Sequence, residues 1–209
     1  MKKLFLTLFL ICGITTAAHA TLVSINFNDL SAGDVLTDQY SSLGVDFALL
    51  DAPSGYQAGP GVIAINESTY VPAMGLAITP GDNMRDPFYD IELSFASSID
   101  YFSILALDAD EPVTVSGYFN EIEISSQYYA PGSDTQVWTI SLGEIGSGVF
   151  FDKIIIDIVK GNDNETGYAG GPEIFDDLEF NEVPEPATIV LFGIGILGLL
   201  KVNRKKKIT

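Results

Sequence analysis

The chain has one cysteine, Cys12, and one histidine, His19, and both lie within its first twenty residues. From residue 21 onward there is no thiol and no imidazole. That excludes disulfides, Ser-His-Asp and Cys-His nucleophilic catalysis, and Cys/His zinc sites from the rest of the protein. Carboxylate chemistry and oxygen-ligand metals survive the exclusion. Cations are almost as scarce. Seven of the ten Lys and Arg residues sit at positions 2–3 and 201–207, which leaves Arg85, Lys153 and Lys160 against 28 carboxylates, a formal charge of −25 over residues 21–186. Such a field repels nucleic acid and anionic membrane surfaces, attracts divalent cations and keeps a domain soluble. No internal repeat and no long helical pattern is present.

What is there begins with the two ends. Lys2 and Lys3 precede an apolar run over residues 4–14, and Ala18-His19-Ala20 places small residues where a signal peptidase reads them. This predicts a cleavable signal peptide over residues 1–20, with Thr21 as the new amino terminus. At the other end stand Pro184-Glu185-Pro186, an apolar segment from Ala187 to Leu200, and the cations Lys201, Arg204, Lys205, Lys206 and Lys207. The apolar segment is shorter than the ~20 residues that span a bilayer comfortably, and the basic tail should stay cytoplasmic. The two prolines deny helix to the residues before them, so the peptide entering the membrane is expected to be extended and open to a protease. A permanent single-pass anchor is the alternative reading. This order resembles the carboxy-terminal sorting signal of PEP-CTERM proteins of Gram-negative bacteria. The resemblance covers residues 183–209 and implies export, transient retention by a single hydrophobic helix in the inner membrane, and cutting near Pro184-Glu185-Pro186 by an exosortase. It further implies a destination at the cell surface or in the exopolysaccharide matrix of a biofilm.

Residues 21–182 read as one all-β domain. Tyr89, Ile91, Leu93 and Phe95 alternate with polar residues, as in a strand with one wet face. Residues 99–108 and 149–159 are apolar at nearly every position, which predicts central strands covered on both sides. Val113, Val115 and Phe119 share one parity and Ile122 and Ile124 the other, so a two-residue turn at Asn120-Glu121 would bring all five to one face, with a bulge as the competing account. Further strands are expected at 22–28, 44–50, 62–66, 75–79, 136–142 and 174–180, and one helical turn before Gly44. Gly and Pro punctuate them. The pattern predicts an antiparallel β-sandwich, in the form of a jelly roll, with a core including Phe27, Phe47, Phe95, Ile104, Phe119, Ile156 and Phe175. The opening, Ile25-Asn26-Phe27-Asn28-Asp29-Leu30, resembles the start of many secreted sandwich domains in PEP-CTERM proteins, which are similar in outline to carbohydrate-binding modules.

Four constellations carry possible chemistry. Asn28-Asp29 near the first strand and Asp176-Asp177 near the last would meet if those strands are neighbours, and two acidic loops would suit a structural Ca²⁺, which takes 6–8 oxygen ligands. The segment 162–165 is a second acidic loop without the full calcium-loop pattern. Trp138, Tyr128 and Tyr129, with Tyr118 and Tyr56, would make a platform for sugar rings if exposed together. Asp108 and Asp110 invite a glycosidase reading, which needs two carboxyls about 5–10 Å apart across a cleft. The expectation is therefore an exported, non-catalytic surface or matrix protein that binds extracellular polysaccharide and is stabilised by calcium. Its partners during export would be signal peptidase, exosortase and, transiently, the inner membrane. A carbohydrate-active enzyme using paired carboxylates is the alternative.

Overall fold

The computed structural model describes residues 20–50, 62–66, 76–79, 89–107, 112–130, 137–158 and 174–183. Among the described residues of the compact unit Thr21–Val183, eleven strands follow in order: β1 Thr21–Ile25, β2 Val35–Leu36, β3 Val45–Leu49, β4 Val62–Asn66, β5 Leu76–Thr79, β6 Ile91–Leu107, β7 Val113–Phe119, β8 Ile122–Tyr129, β9 Val137–Gly143, β10 Phe151–Ile158 and β11 Ile174–Glu182. Every pairing is antiparallel. The fold is an antiparallel β-sandwich.

One long strand serves both layers. The first part of β6 lies between β3 and β10, with Phe47 opposite Leu93 and Ile156 opposite Ile91, and β7 and β8 continue that layer outward. The second part of β6 lies between β9 and β11, with Ile104 opposite Ile140 and Phe102 opposite Phe180. The pairing with β10 breaks its register between Ser94 and Ile99, where the strand passes from one layer to the other. The sequence pattern splits β6 into two strands because its apolar alternation lapses at Ala96-Ser97-Ser98, yet the backbone stays extended throughout.

The core lies between the layers. Fully buried Phe27, Phe102, Phe151, Phe175 and Phe180 are its largest members. Phe27, Tyr40 and Phe47 meet edge to face, with ring centroids 5.7–6.3 Å apart. Of the core positions expected from the sequence, Phe119 alone is only half-buried, because it sits at the end of β7 beyond the covered part of the sheet. The stretch 149–159 also differs from expectation. Ile154, Ile156 and Ile158 are buried, but Asp152, Lys153, Ile155 and Asp157 are half-exposed, so β10 is wet on one side.

Local signals were followed closely elsewhere. Phe119 pairs with Ile122 across a turn whose residues Asn120 and Glu121 have φ of 52° and 64°. These are the positive values of a two-residue hairpin turn. The register also shifts by one residue between Gly117 and Tyr118. Turn and bulge therefore both occur. The helical turn before Gly44 is a 3-10 turn, Ser41–Leu43, ended by Gly44 at φ 88°.

Candidate functional site

The outward face of the β1–β11–β6–β9 layer carries a concavity of about 320 Å³. Alternation decides its lining. Val23, Ile25, Leu178, Phe180, Phe102 and Ile140 take the inner face of these strands, so Ser24, Glu179, Tyr101, Ser103 and Thr139 take the outer one. The result is a hollow lined by three hydroxyl side chains, one aromatic ring, Tyr101, the aliphatic Ile104 and Leu105, and two carboxylates, Asp177 and Glu179.

Asp177 owes its place to an irregularity. Its φ is 45°, a left-handed conformation uncommon outside glycine. It falls where the register of β11 against β6 shifts, between Asp176 and Glu179. At this point β11 also changes its partner on the other edge, from β5 (Phe175 opposite Ile78) to β1 (Leu178 opposite Ile25). Asp176, just before it, is buried, and its Oδ1 accepts the Asp177 N–H at 2.7 Å. Burial pushes the Asp176 carboxyl up to about 6, against the partial relief of that one hydrogen bond.

The first and last strands are neighbours, so Asn28-Asp29 and Asp176-Asp177 do follow and precede the same terminal pair, Ile25 and Leu178. Their side chains have different commitments. Asp29 accepts the Tyr40 hydroxyl, the Asn28 N–H reaches Asn26 Oδ1 at 3.3 Å, Asp176 is buried, and Asp177 is exposed. Among the described residues no three His, Cys, Asp or Glu side chains converge as metal ligands.

The aromatic residues are dispersed. Tyr128 is exposed on β8, while its strand neighbour Tyr129 points the other way, packs against the core and spends its hydroxyl on Ser141. Trp138 lies on the core-facing side of β9, half-buried. Tyr118 stands on the other layer with the Lys153 ammonium 5.5 Å from its ring centre. The structure therefore does not bring Trp138, Tyr128 and Tyr129 together as one platform. Tyr101 was missed by sequence reasoning because it sits in the apolar stretch 99–108. The alternation of Tyr101 and Ser103 with Phe102 and Ile104 was the available signal. Tyr56, Asp108, Asp110, the segment 162–165, both terminal segments and Pro184, Glu185 and Pro186 lie outside the described residues.

The described chain ends at Val183, whose N–H donates to Ser98 O at 2.8 Å. The next residues are Pro184-Glu185-Pro186. Residues 182–205 are a PEP-CTERM protein-sorting motif. The PEP-CTERM motif starts on the last residue of β11. It implies export, with sorting by an exosortase, to the surface or extracellular space of a Gram-negative bacterium. No curated protein matches the chain in sequence. Among solved structures, a variant of a family 29 carbohydrate-binding module is similar at 16% identity and a TM-score of 0.40, over 78% of this chain and 87% of that one. A second family 29 variant gives 15% and 0.39 over 81% and 99%. The family 32 module from C. perfringens NanJ in complex with galactose gives 11% and 0.34 over 78% and 93%.

Proposed function

We propose that this is an exported, non-catalytic glycan-binding protein of the cell surface or extracellular matrix. The PEP-CTERM motif carries the destination. The hollow beside Tyr101 carries the binding. Its ring offers an apolar face for stacking, and Ser24, Ser103, Thr139, Asp177 and Glu179 offer hydroxyls and acceptors for sugar hydroxyls. No cation lines it, and the domain carries only three, so the ligand is a neutral glycan rather than a uronate or sulfated one. Signal peptidase before Thr21, exosortase near Pro186 and passing residence in the inner membrane complete the reading. A glycan array with the exported protein tests it. Neutral polysaccharide should bind and Tyr101→Ala should lose most of that binding. Turnover of a polysaccharide, abolished by Glu179→Gln, would replace this reading with the enzyme alternative.

A second reading, a structural Ca²⁺ where β1 meets β11, has one observation in its favour. Asp176 is a buried carboxylate that accepts only one hydrogen bond among the described residues, and Asp177 stands next to it. A cation there would offset the cost of burying charge. Asp29 would have to leave Tyr40 to take part.

A further inference from the structure

Most of the large hydrophobic side chains that stay well exposed gather around one place, the passage of β6 between the layers at Ser98–Asp100. Leu22 on β1 is opposite Asn181, whose Nδ2 donates to Asp100 Oδ1 at 2.7 Å. The loop between β9 and β10 is drawn to the same carboxylate, with Gly146 N–H to Asp100 Oδ2 at 2.7 Å, and it carries Ile145, Val149 and Phe150. Leu43 precedes Gly44, whose carbonyl accepts the Ala96 N–H at 2.9 Å. The β7–β8 turn, with Ile122, is held through Asn120 N–H to Asp152 Oδ2 at 2.8 Å, one residue past Phe151, the partner of Ile99. These side chains are 39% to 65% exposed. Three exposed side chains among the described residues lie outside this group: Ile124, at the bulge of β8 two residues past Ile122, and Tyr128 and Val137, at the opposite ends of their ladders, near Val113 and Leu107.

The same place is where the chain leaves. Val183 is tied to Ser98 O, and Thr21 pairs with Glu182. The apolar run of the sorting segment begins at Ala187. Four residues reach at most about 14 Å, so a segment lodged in a membrane holds this end of the domain at the bilayer surface. We infer that the apolar rim formed by Leu22, Leu43, Ile122, Ile145, Val149 and Phe150 docks into the bilayer while the sorting segment is still attached. Side chains of this kind enter the headgroup boundary by roughly 5–10 Å. The occupant is lipid, because covalent attachment fixes the end at the membrane and the domain's −25 charge opposes a second copy. Docking is hydrophobic, and Glu144 and Glu182 near the rim disfavour anionic headgroups, whereas Glu121 is paired with Lys153. It presents Pro184-Glu185-Pro186 at the interface, within reach of a membrane protease. Once the segment is cut, the tether is lost and the weak docking releases the domain. The inference rests on the sorting reading of residues 182–205.

The test uses the full chain in phosphatidylcholine vesicles, with and without brominated acyl chains. A single reporter is set by Trp138→Phe with Ile145→Trp, and native Trp138 serves as the control at the far end. Brominated lipid should quench residue 145 at least about twofold more than Trp138, with a blue-shifted emission, and phosphatidylglycerol should reduce the difference. A Phe150→Trp reporter repeats the measurement should the first variant misfold. Equal quenching at both positions overturns the inference, as does a blue shift that depends on protein concentration and not on bromination, which would mean self-association. Processing of the wild-type chain by exosortase is followed separately. If deletion of residues 184–186 leaves processing unchanged the sorting reading fails, whereas equal quenching with normal processing removes only the docking.

Discussion

The Tyr129 hydroxyl donates to Ser141 O at 2.7 Å and accepts the Ser141 N–H at 2.8 Å. Ser141 lies on β9, whose one strand partner among the described residues is β6. A side chain from β8 thus satisfies both backbone groups on the other edge and stitches the two layers at their margin. Without it, a half-buried N–H and C=O lose their partner. Tyr129→Phe should cost about 1–3 kcal/mol, read as a lower urea midpoint with unchanged m-value. An unchanged midpoint would mean that water replaces the hydroxyl without loss.

Gly117 is a packing glycine. A Cβ there would collide with the ring of Phe151 and come within 2.7 Å of Leu142 Cδ2. Phe151 is fully buried and has nowhere to retreat. Gly117→Ala should therefore destabilise the domain by about 1–3 kcal/mol through overpacking, despite the usual gain from replacing glycine. Thermal unfolding decides the sign.

Much of this was legible beforehand. Strand positions such as Val62–Asn66 and the Phe119/Ile122 hairpin follow from alternation and turn length, both local properties of the chain. The hollow was not legible. Its lining comes from four strands, β1, β6, β9 and β11, brought together by pairings such as Ser24 with Glu179, far apart in sequence. Trp138, Tyr128 and Tyr129 stand out in the sequence by type, and type does not say which face of a strand a side chain takes. Tyr128 and Tyr129 show this, being adjacent and opposed. Nor does sequence reveal that a lapse in alternation at residues 96–98 marks a bend in β6 rather than a loop.

Asp176 makes stability depend on pH in an unusual direction. Its carboxyl is raised from 3.8 to about 6 by burial, so between those values the folded state binds the proton that the unfolded state has released. Its contribution is fully present below about pH 4 and fades as pH rises through 6. Asp176→Asn imitates the protonated side chain. The variant should match the wild type near pH 4 and exceed it at pH 7, as read from melting temperatures across that range.

Calcium is tested on the same residues. Millimolar CaCl₂ should raise the melting temperature beyond NaCl at equal ionic strength, because an ion bound only to the folded state adds RT ln(1 + [L]/Kd), about 2.7 kcal/mol at a hundredfold excess. Asp177→Ala should remove the excess. Identical responses to the two salts would mean screening of an acidic surface and nothing more.

The pairing of the first strand with the last also sets a clock. Thr21 and Glu182 are ladder partners about 160 residues apart in the chain. Closing so long a loop costs entropy before the ladder returns any stabilisation, which makes it a late event in folding. Synthesis and passage across a membrane both run from the amino end, so β1 must wait unpaired until nearly the whole domain has followed it. Its partner ends at residue 182, where the sorting motif begins. The chain therefore cannot complete its fold until almost all of the domain has followed, and the sandwich closes only when the stretch that opens the sorting motif has arrived.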